Sequence, residues 1–562
     1  MFSRHATRKA LLALTCALVF SPAAFAGATI TIVNTDHGHE GFNDPTPAAP
    51  VGGNPGTTLG SQRLIAFQHA ANLWATKLDS DVNIRIQASF DPLVCDAGSG
   101  ILGAAGSIQI VANFPGAALS ETWYPSALAN KLAGFDLIPG PPGSLADDIV
   151  AFFNSDLDNP VCLGSIGWYY GLDNNHGPNI DLVTVLLHEL GHGLGFQNFV
   201  RESDGTTPLS LGDIYSEYTL DTTTGKNWNE MTDVERAASA INTRQVVWNG
   251  PMVTAAAPVV LTPGTPLLRV NSPPSIAGIY QVGTAAFGPT LVSPGIAGNV
   301  VLAADGTGSP TDACQALTNG GAIAGNIALV DRGTCTFVVK VKNAQNAGAT
   351  AVLVADNVAG SPPSGLGGSD PTITIPSVRI TLADGNTIKA QLPTGVNVTL
   401  GVDLAVLSGA DPSGKVLLWS PNPVQSGSSI SHWDQITKPN QLMEPAINSD
   451  LTHEVDLPED LTLPLLLDIG WTTGGGVDDC PASNTDPTVS VAGCETEAPN
   501  ILFSNGCTLA DLIALCADAA ATHGDYVSCV ASVANEVNQG GGISGADKGR
   551  IQSCAAGAAS VP

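Results

Sequence analysis

Apolar residues at Leu64, Phe67, Ala71, Trp74 and Leu78 recur in steps of three and four, which predicts an amphipathic helix with one face turned to a core. Val82, Ile84, Ile86, Ala88 and Phe90 then alternate with Asn83, Arg85, Gln87 and Ser89, the period-two signature of a half-buried strand. Ile149 to Phe153 reads as a second strand, and the apolar run from about Asp181 to Leu194 as a second helix, so residues 27–245 predict an α/β or α+β unit. From 246 to 410 the composition shifts to Gly, Pro, Val and Ala with few charges, a change of domain toward strands and turns. Within that stretch Ile327 to Val330, Phe337 to Ala347 and Ala351 to Ala355 read as strand, helix and strand, with Gly348 ending the helix. Residues 411–475 return to helix and loop, and 476–562 form a small tail in which six cysteines must supplement a modest core. The expected fold class is therefore multidomain α/β (α+β) with a β-rich insert and a disulfide-rich helical C-terminal domain.

A chain of 562 residues is long enough for several cores, and 44% hydrophobic against 13% charged residues excludes a mainly disordered chain. The net charge of −29 repels a phosphate backbone, so no nucleic-acid partner is expected. Arg4, Arg8 and Lys9 precede an apolar run from Ala10 to Phe20, and Ala24-Phe25-Ala26 has the small-x-small form of a signal-peptidase site. The expectation is a signal peptide at 1–26, a mature start at Gly27 and a secreted product; that run is short for a bilayer and no later stretch is long enough, so no membrane span is expected. Ten of the eleven cysteines lie beyond the leader, in even clusters: Cys95 and Cys162; Cys314 and Cys335; then Cys480, Cys494, Cys507, Cys516, Cys529 and Cys554. Even clusters suit disulfide-bonded domains in an oxidising compartment, and the last six leave about fifteen pairings open.

The chemistry is concentrated in His188-Glu189-Leu190-Gly191-His192, an H-E-x-x-H pattern inside an apolar helix. Residues four apart differ by about 40° around a helix, so both imidazoles reach one point and can share a divalent cation. Glu189 flanks that point without being needed as a ligand, which suits a general base acting on a zinc-activated water. Gly193, Gly195 and Phe196 stop the helix abruptly. A third ligand is required; in the metzincin proteases, whose H-E-x-x-H-x-x-G motif this stretch resembles, it is a His three residues beyond the Gly, where this chain has Asn198, a poor zinc ligand. The other mature histidines are His37, His39, His69, His176, His432, His453 and His523. His432 stands out, because Ser431-His432-Trp433 lies shortly before Leu442-Met443-Glu444-Pro445 and an apolar Leu461 to Trp471 ending in Asp468-Ile469-Gly470-Trp471.

Those features together resemble the leishmanolysin branch of the metzincin zinc proteases. The resemblance implies a metzincin-like protease domain in which His188, His192 and a displaced His432 hold one catalytic zinc ion, Glu189 is the general base and Met443 forms a turn beneath the metal. Some 240 residues separate His192 from His432, so a whole domain must be looped out between them. Asn326 to Phe337, Lys342-Asn343-Ala344-Gln345-Asn346-Ala347-Gly348-Ala349 and Ile375-Pro376-Ser377-Val378 closely resemble the protease-associated (PA) domain, which implies a module that engages substrate and contributes no catalytic residue. The function expected is a secreted zinc endopeptidase acting on extracellular proteins or peptides. The rival from another class is an inactive exported binding or adhesion protein with a relic metal site.

Weaker signals have plainer readings. Gly98-x-Gly100-x-x-Gly103 matches a dinucleotide fingerprint by letter, but Pro92 and Cys95 interrupt the strand that should precede it, which favours a Gly-rich loop. Cys95 is either an inhibitory thiolate over zinc or, more simply, the partner of Cys162. Asp173, Asn175 and Asp181 offer oxygens for a possible calcium ion, although Asp181 also suits a helix cap. His37 and His39, beside Asp36 and Glu40, read as a solvated loop before a second metal site.

Overall fold

The computed structural model describes residues 27–473 except 160, 165 and 307, and residues 484–558 except 485, 487, 502–507, 521 and 540–542. The leader expected at 1–26, and Cys480 and Cys507 of the tail, lie outside the described residues. The first core is built on a four-stranded sheet ordered Ile30–Asn34, Ile84–Asp91, Ile149–Asn154, Gly103–Ser107. The first three strands are parallel and the last is antiparallel at the edge. Parallel neighbours need a crossover, which the helix Leu59–Lys77 supplies between the first two. That helix begins five residues ahead of the apolar stripe, where the Thr58 side chain accepts the Ser61 amide as N-cap. Its buried face is Ala66, Phe67, Ala70, Ala71 and Trp74, whereas Leu64, expected on that face, is 39% exposed. Arg63 turns inward in its place, with its guanidinium 4.7 Å from the Phe90 ring centre and bonded to the Tyr170 hydroxyl and Asp158. A buried cation so fully partnered reads as polar in the sequence and hides where the helix face lies.

Residues 246–261 pack with this first core, although their composition groups them with the insert. Val246–Trp248 pairs antiparallel with Thr219–Asp221, and the helix Pro251–Val260 lies on the helix Thr462–Asp468. The Asp468 carboxylate accepts hydrogen bonds from Trp248 Nε1 and the amides of Met252 and Val253, fastening the two stretches together.

Between Pro263 and Leu407 the chain forms a separate eight-stranded sheet with apolar clusters on its two faces. Ile296–Leu302, Ile327–Asp331, Ala351–Ala355 and Ser377–Ile380 run parallel, and the last three of these are almost wholly buried, as strands covered on both faces must be. The entering strand Pro263–Ser272 pairs antiparallel with the leaving strand Asn397–Leu407, so the insert starts and ends at one place. Cys314–Cys335 closes a loop of this unit. In the tail, the hairpin Thr488–Val491 and Cys494–Pro499 packs with the helices Leu509–Ala519, His523–Gln539 and Gly545–Gly557, fastened by Cys494–Cys554 and Cys516–Cys529. Among the described residues no helix is long and apolar enough to cross a membrane.

Candidate active site

The helix carrying H-E-x-x-H spans Leu182–Leu194, and every residue of it is buried, which its unbroken apolar composition dictates. The Asp181 side chain accepts the Thr184 amide as N-cap, and Gly195 at φ 131 ends the helix. Two indoles hold it, Trp74 Nε1 donating to Leu187 O near its middle and Trp471 Nε1 to Leu194 O at its C-terminal end. Gly191 is required by close approach, since a Cβ there would stand 2.9 Å from the sulfur of Met443. Met443 is thereby packed against the turn of helix between His188 and His192.

The structure brings His188, His192 and His432 together, with all three Nε2 atoms 3.2 Å from one another. Each Nδ1 faces a backbone carbonyl: Leu442 O at 2.7 Å for His188, Phe196 O at 2.7 Å for His192 and Ser428 O at 2.9 Å for His432. A carbonyl only accepts, so each Nδ1 carries the proton and each Nε2 presents a lone pair to the shared centre. Burial pushes the imidazoles strongly down, His188 to about 4 and His192 to about 3, so they stay neutral. Three buried lone pairs facing one another repel unless a cation lies between them. Ligands about 2.0 Å from a tetrahedral ion are about 3.3 Å apart, so the 3.2 Å triangle fits zinc, a metal suited to nitrogen donors. Among the described residues this is the one group of three or more His, Cys, Asp or Glu with ligand atoms so close together.

Glu189 is buried beside this triangle and against the sheet edge. A Cβ on Gly103 would lie 3.1 Å from its Cγ, and the Ala105 amide donates to its carboxylate. Burial pushes its pKa up to about 8, opposed by the Ala105 bond. The turn at Met443 is framed by two buried carboxylates: Glu444 accepts from the Gln441 amide and the Thr437 hydroxyl, and Asp460 from the Leu442 amide. Asn198 stands where a contiguous third ligand would fall; its side chain donates to Ser431 Oγ and Glu202 instead, bracing the residue before His432. Ala105, Ser428 and the carbonyls of Leu442 and Phe196 were not legible in the sequence, because they act through their backbone.

Other candidate residues are engaged elsewhere. Cys95 is bonded to Cys162, which rules it out as an inhibitory thiolate. In the Gly98 loop the Asp96 carboxylate accepts the Gly98 and Ser99 amides, placing negative charge where a dinucleotide would need none. Asp181 caps the active helix and meets His453 Nε2 at 3.0 Å, while Asp173 accepts the Tyr169 hydroxyl and the Asn175 amide. Asp36 accepts the Phe42 and Phe90 amides, tying the His37–His39 loop to the sheet. His176 Nδ1 lies 2.8 Å from Asn179 O and His523 Nε2 3.3 Å from Ala556 O.

Residues 296–388 match the family described as PA domain. Vacuolar-sorting receptor 1 of Pisum sativum is 33% identical over 144 residues, 24% of this chain and 23% of that protein. ER degradation-enhancing alpha-mannosidase-like protein 3 of Xenopus laevis is 37% identical over 118 residues, 20% of this chain and 13% of that protein. Probable leucine aminopeptidase 2 of Aspergillus fumigatus is 33% identical over 124 residues, 19% of this chain and 25% of that protein. The chain thus spans about a quarter or less of these relatives. Among solved structures, an aminopeptidase from Aneurinibacillus sp. strain AM-1 is similar at a TM-score of 0.20 and 25% identity, over 25% of this chain and 31% of that one. The receptor, the mannosidase-like protein and the aminopeptidase have no activity in common by name.

Proposed function

We propose that this chain is an exported zinc-dependent endopeptidase of metzincin type with a PA domain set into its catalytic unit. The observation that carries the reading is the 3.2 Å triangle of buried, neutral Nε2 atoms of His188, His192 and His432 with Glu189 at its side. The three imidazoles would hold the ion and Met443 would support them from below. When bound, zinc supplies Lewis acidity that makes water a better nucleophile and polarises a peptide carbonyl. Glu189 does the proton work: its carboxylate accepts the proton of the attacking water and passes it to the amide nitrogen as the C–N bond breaks. A cation held by the neutral triad would favour the ionised carboxylate that this step needs. The edge strand Gly103–Ser107 is paired on one side by Ile149–Asn154, and its outward edge, apart from the Ala105 amide that Glu189 takes, suits an extended polypeptide, which is why protein or peptide is the proposed substrate. Export rests on the leader-like N-terminus and on the Cys95–Cys162 and Cys314–Cys335 disulfides.

The test is digestion of a peptide blocked at both termini by the full chain, with products read by mass spectrometry. Internal cleavage that a chelator abolishes and zinc restores is the expected result. Release of single residues from unblocked peptides alone would make the protein an aminopeptidase, and no cleavage of any peptide would leave the exported binding protein.

A further inference from the structure

Residues 242–244 are where the insert, the first core and the loop leading to His432 meet. Buried Ser420 donates to Asn242 O and accepts the Arg244 amide, both at 3.2 Å. The Thr243 hydroxyl bonds the Ser361 hydroxyl at 2.7 Å, and Thr243 O accepts from the Gln281 side chain at 3.1 Å. Ser361 and Asn422 exchange both backbone bonds, at 2.9 and 2.7 Å, as an isolated antiparallel bridge. Ser361 and Gln281 belong to the insert, whereas Ser420 and Asn422 open the loop that ends at His432.

That loop is closed on itself. Ile430 donates to Trp419 O at 2.7 Å and Trp419 to His432 O at 2.8 Å, while Ser428 O orients the His432 ring. It also stores strain, since Ile430, fully buried and β-branched, sits at φ 67, a region such residues avoid. The Tyr215 hydroxyl donates to its carbonyl at 2.9 Å. A conformation of this kind persists only where its surroundings over-determine it, and Tyr215 of the core is one such constraint. Asn198, which donates to Ser431 Oγ, is a second, and the Ser361 bridge is the one that comes from the insert.

We propose that the PA domain positions the third metal ligand: the Ser361–Asn422 clasp, braced by Thr243, holds loop 420–431 in the one conformation that carries His432 to His188 and His192. The metal affinity of the site then depends on the state of the PA domain, and a ligand that displaces the loop at Ser361 loosens His432. Ser361 and Thr243 are positioning residues in this account, which rests on the metal reading given above.

Gly360 provides the test. A Cβ there would stand 3.1 Å from Asn422 O at a φ of 151, whereas a Cβ on Gly367, in the same loop, meets nothing within 4 Å. The full chain, Gly360→Val, Gly367→Val and the double variant Thr243→Val/Ser361→Ala are compared by zinc affinity in chelator competition, by the visible spectrum of the cobalt-substituted protein, and by amide exchange in the metal-free state. Gly360→Val is expected to bind zinc about tenfold more weakly, as loss of an outer support does, to shift the cobalt spectrum, and to exchange faster over 419–432 while strands 327–331 and 351–355 stay protected. The double variant moves the same way by less, and Gly367→Val stays at the wild-type value. Unchanged affinity and exchange in Gly360→Val, or an equal effect of Gly367→Val, would overturn the clasp. A wild-type chain that binds no zinc would overturn the metal reading itself, and that failure is seen without any variant.

Discussion

Glu189 has two neighbours that set its chemistry: the imidazole triangle on one side and the Ala105 amide on the other. Glu189→Gln keeps the shape and removes the base, so it should retain zinc and lose peptide hydrolysis by about a hundredfold or more; metal analysis and turnover on one sample check both. The triad also ties pH to stability. Neutral His188 and His192 are held at about 4 and about 3, below the ordinary imidazole value of 6.5, so the unfolded chain binds protons that the fold refuses. In the metal-free protein their contribution is complete above about 6.5 and is lost as the pH falls toward the depressed values. Melting temperatures of the chelated protein from pH 7 to 4 should therefore fall more steeply than those of His192→Gln, and equal slopes would refute the buried neutral triad.

At the scale of elements, legibility tracked how far side chains reveal the backbone. The helix Leu182–Leu194 was plain, because its apolar run, Asp181 cap and Gly195 stop all agree. The edge strand Gly103–Ser107 was not, since Gly-Ala-Ala-Gly-Ser has no large apolar side chains to alternate with polar ones and reads as a loop. The helix Pro251–Val260 was hidden by a composition like that of the insert, although it packs in the first core. His432 was reachable only through a resemblance, because no periodicity spans the residues between it and His192. The edge strand carries its own prediction. Asn154 N donates to Leu102 O and Ile108 N to Asp148 O, so by alternation the Ala105 amide points away from its neighbour strand. Proline is tolerated at such an outward edge position. Ala105→Pro should leave zinc content intact and slow hydrolysis about tenfold, the loss expected of one bond to a charged group; a variant with normal turnover would show that the strand does not support Glu189.

Across the whole molecule, the first core is assembled from chain on both sides of the insert, with Met443, Trp471 and His432 all returning to a helix laid down at Leu182. The site therefore forms only when both halves have folded. Cys95–Cys162 lies in the first half and closes a loop that leads into the edge strand, with Gly100 packed on the cystine. Replacing both cysteines by serine should cost about 2–4 kcal/mol in denaturant unfolding, and a stability equal to wild type would mean that this loop is held by packing alone. The claim on which the rest depends is that three histidines from two distant parts of the chain hold one zinc ion. X-ray absorption at the zinc edge of the full chain tests it directly: one ion per chain, with three nitrogen neighbours at about 2.0 Å and one fewer in His432→Ala, is the expected result. A zinc-free protein, or a spectrum that His432→Ala leaves unchanged, would contradict it.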